Sequence, residues 1–327
     1  MERRIIMVVD PPKQDLTKID ITQNDLEGNT ANQTARLISS LREIAPVICY
    51  SNIAEFEDHI KEHLNDIVFP MYYGPAGLTK KGVVPILCEM HSISYVGGDA
   101  YTQIVCNDKA LSKQYASNFG ILSPRGCLFR SEKADPISLK KLRGLNPPLV
   151  VKPNYGGGST GISNSNIVNS YKEAEELAEF LVHYIGVPVL IEEYIVGYEV
   201  ELIVVGTKKE IHFCNEVQLI MDGADYFQQD IWGFETKRVD DDSIDFRCSN
   251  FISTDTRQHL IDLFQSFEKV EAVRFDGRVN NGQFYLLEIS PDCYLGDDCA
   301  FYYAFQKKGF THPQMLQFLI NNTLSPY

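Results

Sequence analysis

The stretch that most constrains this chain is Leu149–Ser163, LVVKPNYGGGSTGIS. Leu149-Val150-Val151 reads as a buried strand. It runs straight into Lys152-Pro153 and a loop with Gly156, Gly157, Gly158 and Gly161 around Ser159 and Thr160. Glycines let the backbone turn inward and offer bare N–H groups to phosphate oxygens, while a lysine adds a point charge. The spacing is neither that of a P-loop nor GxGxxG, because the lysine precedes the glycines. Alone, such a loop is equally a mobile hairpin tip, so its meaning depends on the residues that face it.

The remaining features limit what those residues can be. The 327 residues suffice for two or three small domains. A hydrophobic content of 44% with 23% charged residues allows a sizeable buried core. The formal charge of −14 argues against nucleic acid or an acidic membrane as partner, and any bound nucleotide needs a locally basic pocket. Eight cysteines are scattered with no CxxC pair, which predicts reduced thiols and a cytoplasmic location. After Met1-Glu2-Arg3-Arg4 the apolar run Ile5–Val9 is too short for a secretory signal, and no window reaches the ~18 apolar residues of a membrane span.

Read in order, Ile5–Val9 is a first strand stopped by Asp10-Pro11-Pro12, and Thr30–Ile44 has the apolar spacing of an amphipathic helix. Strand–helix alternation continues through Pro46–Tyr50, Glu55–Leu64, Ile67–Tyr72, Val83–Met90 and a short strand at Ser94, which predicts a small parallel sheet over 1–98. A mixed α/β segment over 99–193 follows. It has a helix at Asn107–Phe119, a strand ending at Phe129, a proline-bearing linker (Pro136, Pro147-Pro148), a helix at Tyr171–Ile185 and a strand at Val187–Tyr194. The remainder, 194–327, is richest in strands: Glu199–Val205, Ile211–Val217, and Ala272–Val279 paired with Gln283–Ile289 across Asn280-Asn281-Gly282, a hairpin signal. Helices fit Thr256–Val270 and Pro313–Asn322.

Three groups of residues carry chemistry. The strand ending Glu192-Glu193-Tyr194-Ile195 bends at Gly197 before Glu199, and it offers an apolar slot, backbone hydrogen bonds and a carboxylate, which a nucleoside needs. The plain alternative is a strand ending in solvated glutamates. Arg274 and Asp276 share one strand face, and Glu288 and Ser290 share a face of the next. Oxygen ligands from adjacent strands suit Mg²⁺, and a carboxylate in the apolar Phe284–Ile289 must be ion-paired or metal-bound. Lys109 opens a helix and taken alone is a surface lysine.

Together, Lys109, the Lys152 strand with its glycine loop, Glu192 to Glu199, and Arg274-Phe275-Asp276 followed by Tyr285-Leu286-Leu287-Glu288 resemble, in order and spacing, the ATP-grasp enzymes and most closely the D-alanine–D-alanine ligases. The resemblance runs from about Ile67 to the C-terminus. It implies an α/β, three-domain ATP-grasp architecture with the nucleotide held between the central and C-terminal domains. It implies ATP and Mg²⁺ as cofactors, with Mn²⁺ as the alternative ion. Lys109 and Lys152 would touch phosphates, and Gly157, Gly158 and Ser159 would close over them. Glu192 would meet the adenine amino group, Tyr194 and Ile195 the base, with Glu193 in the same nucleotide-binding set, and Glu199 the ribose. Asp276, Glu288 and Ser290 would form the metal site. Arg274, with Lys237 and Arg238 of a mobile loop, would act on the reacting phosphoryl or carboxyl centre.

Departures from the family pattern fall on the substrate side. The acidic residue after a Gly-rich turn early in the first domain has no counterpart around Asp10–Asp15, and the family's histidine-glycine is Tyr73-Gly74. A loop serine is Gly158, a tyrosine is Arg238, the metal-site asparagine is Ser290, and a late serine falls near Cys299. This pattern predicts a ligase that joins a small-molecule amine to a carboxylate other than D-alanine. Asp292, Asp297 and Asp298 are then candidates for meeting the amine, with Asp292 also a candidate supplement to the metal site. Cys293 and Cys299 are expected to be spectators. A divergent D-alanine–D-alanine ligase and a non-catalytic ATP-binding regulator are the alternatives, and the family suggests a homodimer through the first domain.

Overall fold

The computed structural model describes residues 3–11, 28–74, 78–131, 135–159, 161–233 and 244–324. Its first sheet contains β1 (Ile5–Val9), β2 (Val47–Tyr50), β3 (Ile67–Met71) and β4 (Ser94–Tyr95), in the order β2-β1-β3-β4 and all parallel. The crossovers carry α1 (Ala31–Arg42), α2 (Ile53–His59) and α3 (Val83–Met90). α1 starts where Thr30 and Gln33 form a reciprocal capping box, which satisfies two orphan backbone donors.

The helix expected over 107–119 forms as α5 (Lys109–Ser117), and an unforeseen helix, α4 (Ala100–Asn107), runs directly into it. Asp108 takes an extended backbone, which ends α4, and its carboxylate accepts from the Leu111 N–H at 2.9 Å to cap α5. The second sheet is antiparallel, β5 (Gly126–Phe129), β6 (Leu149–Pro153), β7 (Ile167–Val168) and β8 (Val189–Glu193), in the order β5-β8-β6-β7. The stretch read as a proline-bearing linker contains a helix, α6 (Pro136–Leu142). Asp135 caps it and Pro136 occupies its first turn, where a missing N–H costs nothing. The predicted helix at Tyr171–Ile185 forms as α7.

The third sheet is antiparallel, with β9 (Tyr198–Gly206), β10 (Ile211–Met221), β11 (Ile244–Cys248), β12 (Ala272–Asn280) and β13 (Gln283–Ser290) in the order β11-β10-β9-β12-β13. Asn281 and Gly282, both with positive φ, make the two-residue turn between β12 and β13 that asparagine-glycine predicted. α8 (Thr254–Ser266) stops short of the expected Val270 because Phe267 is extended. β11, α9 (Ala300–Gln306) and the short β7 were not foreseen, and α10 (His312–Thr323) closes the described chain.

Alternation along β1 sends Ile6 and Val8 to a core with α2 and α3, and Ile5, Met7 and Val9 to a core on the other face. That second core also contains Ile203, Val205 and Val217 of the third sheet and Phe301, Phe305 and Leu316 of α9 and α10. The second sheet has a core of its own with α6 and α7. Residues from α4 and α5, including Cys106 and Ala116, pack instead into the other face of the third sheet. A polar clasp adds to the first junction. Lys269 Nζ donates to the carbonyls of Tyr95 (3.0 Å) and Gly97 (2.6 Å) and lies over the Tyr95 ring, while fully buried Glu271 accepts from Lys269 and from the Gly97 N–H at 2.7 Å. Among the described residues no helix is long and apolar enough to cross a membrane.

Candidate functional site

The site is built where the start of α5 meets the end of β6. Buried Asn154 donates to Asp108 Oδ1 at 2.8 Å and accepts from the Ala110 N–H at 2.9 Å, and the Lys109 N–H donates to the Asn154 carbonyl at 3.0 Å. Asn107 Oδ1 accepts from the Gly156 N–H at 3.0 Å. The glycine loop is thus pinned at its root to a helix start. Lys109 Nζ donates to the Gly156 carbonyl and lies 3.3 Å from Glu288 of β13. Gly158 has φ +64° and faces open space, whereas Ser159, at φ +55°, is held by its hydroxyl donating to the Trp232 carbonyl at 3.0 Å.

Glu192 and Glu193 point to opposite sides of β8, as neighbours on a strand must. Glu192 is buried between two ammonium groups, with Lys113 of α5 on Oε1 and Lys152 of β6 at 2.8 Å from Oε2. Burial alone would raise its pKa, but the two cations hold it below the ordinary glutamate value. Burial drives Lys113 down to about 7, against the pull of Glu192. Burial also opposes the charge on Lys152, but there Glu192 more than compensates and the pKa is raised. Glu193 faces outward, accepting from Asn146 at 2.8 and 2.9 Å.

Beyond β8 the chain is organised by Arg278. Its guanidinium donates to Glu199 Oε2 at 3.0 and 2.8 Å, to the Ile195 carbonyl at 2.9 Å and to the Asp230 carbonyl at 2.7 Å, and it covers the Tyr194 ring. The Tyr194 hydroxyl donates to the Asp230 carbonyl at 2.9 Å. Gly197 is required here, since a Cβ would sit 2.3 Å from the Val279 carbonyl oxygen.

Register across the third sheet puts Glu201 opposite Asp276 and Asp276 opposite Glu288, a row of three carboxylates over β9, β12 and β13, with Arg274 opposite Ser290. Like charges side by side on a sheet repel and need cations. Arg274 supplies one, donating to both Asp276 oxygens at 2.6 and 2.7 Å and lying 3.3 Å from Glu201, while Lys109 supplies a second at Glu288. A register shift after Asp276 marks a bulge. A Cβ on Gly277 there would overlap the Phe284 ring, so only glycine fits. No cluster of three or more His, Cys, Asp or Glu among the described residues is arranged to hold a metal by itself. The Asp276–Glu288 pair nevertheless fits Mg²⁺, which takes one or two carboxylates and fills its shell with water and phosphate oxygens.

Among the residues that depart from the family pattern, Asp10 accepts from the Tyr73 and Gly74 N–H groups at 2.7 and 2.8 Å, joining the ends of β1 and β3. Asp292 is ion-paired to buried Lys81 at 2.7 Å, and Asp297 and Asp298 to Arg36 of α1, so these acids face cations of the protein itself. Cys299 caps α9, accepting from the Tyr302 N–H at 3.4 Å, and burial pushes the thiols of Cys293 and Cys299 up. Lys237 and Arg238 lie outside the described residues.

The structure therefore links Lys109, at the root of the glycine loop, to Glu288 and through it to the Asp276–Arg274 pair, holds Lys152 on Glu192, and turns Glu193 away. Sequence reasoning missed Lys113, Glu201, Arg278, Lys81 and Arg36. The signals were present: Lys113 follows Lys109 by four residues on one helix, and Glu199/Glu201 and Arg274/Asp276/Arg278 alternate along strands.

A family model described as the D-ala D-ala ligase C-terminus matches residues 127–321. A D-alanine–D-alanine ligase of Bacillus cytotoxicus is 25% identical over 306 residues, covering 90% of this chain and 80% of that protein. One from Proteus mirabilis is 28% identical over 217 residues, which are 64% of this chain and only 56% of the relative. The crystal structure of the D-alanine–D-alanine ligase from Bacillus anthracis complexed with ATP has the same fold, with a TM-score of 0.72 at 17% identity, covering 98% of this chain and 97% of that one.

Proposed function

This chain belongs to the D-alanine–D-alanine ligase family and has the ATP-grasp fold, and from that premise we propose that it is an ATP-dependent ligase joining a carboxylate to an amine through an acylphosphate. The observation that carries the reading is the cross-strand pair Asp276–Glu288, met by Lys109 from the helix that also grips the glycine loop. A passive nucleotide binder has no need for Arg274, Asp276 and Glu288 to converge where a terminal phosphoryl group would lie.

In this reading Lys109 and Lys152, with the amides of Gly157, Gly158 and Ser159, bind the phosphate chain. Glu192, Tyr194 and Ile195 frame the base and Glu199 the ribose. Glu193, turned outward, fixes the Asn146 segment rather than the nucleotide. Asp276 and Glu288, with Ser290 beside them, hold Mg²⁺, which when bound neutralises charge on the phosphoryl being transferred. A carboxylate oxygen of the first substrate takes the γ-phosphoryl as ADP leaves. The amine then attacks the acyl carbon and expels phosphate, its proton passing to solvent or a base. Arg274 stabilises the charge that builds at this centre, and the family resemblance adds Lys237 and Arg238 to that role.

We place the difference from D-alanine ligases in the acceptor site. Lys81–Asp292 and Arg36–Asp297–Asp298 introduce charge pairs there, and this supports a substrate other than D-alanine on at least one side. The same reading puts the protein in the cytoplasm, in keeping with its thiols being unbridged. It pairs the chain through its first domain, where Ile86 and Met90 of α3 are exposed. Mg-ATP-dependent release of ADP and phosphate, measured with pools of amino acids, amines and small carboxylic acids and mass detection of the conjugate, tests the reading. Release stimulated by one pair, with a product lighter than the pair by one water, establishes it. Release with D-alanine alone overturns the substrate assignment, and ATP binding without stimulation by any pool favours a regulator.

A further inference from the structure

α5 bridges the two halves of the cleft with one face. Lys109 and Lys113, four residues apart, leave the same side of the helix. The first meets Glu288 on the five-stranded sheet and the second meets Glu192 on the second sheet. Lys113 is assigned no role in the reading above, yet it is as buried as the carboxylate it grips. Glu192 is held by two cations from different elements, Lys113 on one oxygen and Lys152 on the other.

If Lys152 binds a phosphate chain, it must give up some or all of its hold on Glu192. A buried carboxylate left without a counter-charge is strongly disfavoured. Lys152 is the freer of the two lysines. It lies one residue from the end of β6, on the approach to the glycine loop, and keeps 11% of its side chain open, against 6% for Lys113, which lies a full turn inside α5. We propose that Lys113 is a positioning residue of the nucleotide site, which holds the Glu192 carboxylate alone so that Lys152 can transfer to bound phosphates. The charge balance supports the exchange. Lys152 is one of the groups that depress the Lys113 pKa, so moving it toward a phosphate strengthens the charge on Lys113 as that charge becomes necessary.

The inference rests on the nucleotide reading, and the test separates the two. The quantity to measure is the ratio of affinities for Mg-ATP and adenosine, by calorimetry on the full chain. The wild type should favour Mg-ATP. Lys113→Met should detain Lys152 on Glu192 and reduce the ratio about tenfold or more, the worth of a charge-assisted contact, while Lys113→Arg should preserve it. Adding Glu192→Gln to Lys113→Met removes the charge that detains Lys152, so the ratio should recover even though adenosine binds less well. Should Lys113→Met alone not fold, Glu192→Gln and the Glu192→Gln/Lys113→Met pair still decide. Their ratios should be equal, because Lys113 acts only through Glu192. No preference for Mg-ATP in the wild type overturns the nucleotide reading itself. A wild-type preference that survives Lys113→Met, a loss that Glu192→Gln does not rescue, or unequal ratios in the fallback pair overturns the role of Lys113.

Discussion

The proposed nucleotide cleft and the proposed acceptor region are both built on ion pairs but carry their charges differently. In the cleft, Lys109, Lys113, Lys152, Arg274 and Arg278 face Glu192, Glu199, Glu201, Asp276 and Glu288 from the interiors of strands and one helix, and most are buried. At the acceptor side Asp292, Asp297 and Asp298 lie on the loop after β13, and Arg36, Asp297 and Asp298 are 32%, 42% and 39% exposed. Chemistry shared by a family is fixed on rigid elements, where geometry is held by register and packing. Selectivity is placed on loops, where substitution disturbs little else.

The largest expected effect tests the cleft. Glu288→Gln should lower ADP release by about 10²–10³, the scale of losing one preorganised electrostatic group. A change confined to the Mg²⁺ dependence of ATP binding would place this chain among passive binders and erase the contrast. Arg278→Met should next cost stability of about 3 kcal/mol in denaturant unfolding, since it leaves Glu199 without its buried partner, and Glu199→Gln should restore most of that loss. At the acceptor side Lys81→Met should free Asp292 and alter the apparent affinity for the acceptor about tenfold, roughly 1.4 kcal/mol, with that for ATP unmoved. A parallel shift in both affinities would mean that the two regions are not separable. Arg36→Ala should be the mildest, about 0.2–1 kcal/mol of stability and sensitive to salt, because the ion pair is half-exposed.

What the sequence made legible follows the range of the interaction. Alternation and turn chemistry are local, so β1, α3, α7 and the Asn281-Gly282 hairpin could be read directly. The ordered set from Lys109 to Glu288 made the family legible because most of its motifs sit on regular elements with a fixed facing. α6 was hidden by its prolines, although Asp135-Pro136 is a helix start; two prolines further on drew attention to a linker. The pairing of Arg36 with Asp297 and Asp298 joins residues more than 260 positions apart and leaves no periodic trace. Arg278 continues the alternation of Arg274 and Asp276 along β12, but its partners Glu199, Ile195 and Asp230 are 48 or more positions away, and no local pattern names them. Glu193 was grouped with Glu192 by adjacency, where strand geometry sends the two apart.

The clasp of Lys269 and Glu271 on Tyr95–Gly97 has a mechanical consequence. It lies at the seam where the parallel sheet and the five-stranded sheet already share an apolar core, so packing and charge both tie those two parts into one body. The second sheet, with its separate core, is joined to that body through the segment around Gly197, the grip of α5 on β6 and β8, and hydrogen bonds that link Ser159 and Asn164 to the 230–232 stretch. The expected route of nucleotide entry is therefore a tilt of the second sheet and its helices against that body. The rate of exchange should respond to residues of that short fulcrum far more than to any residue of the parallel sheet.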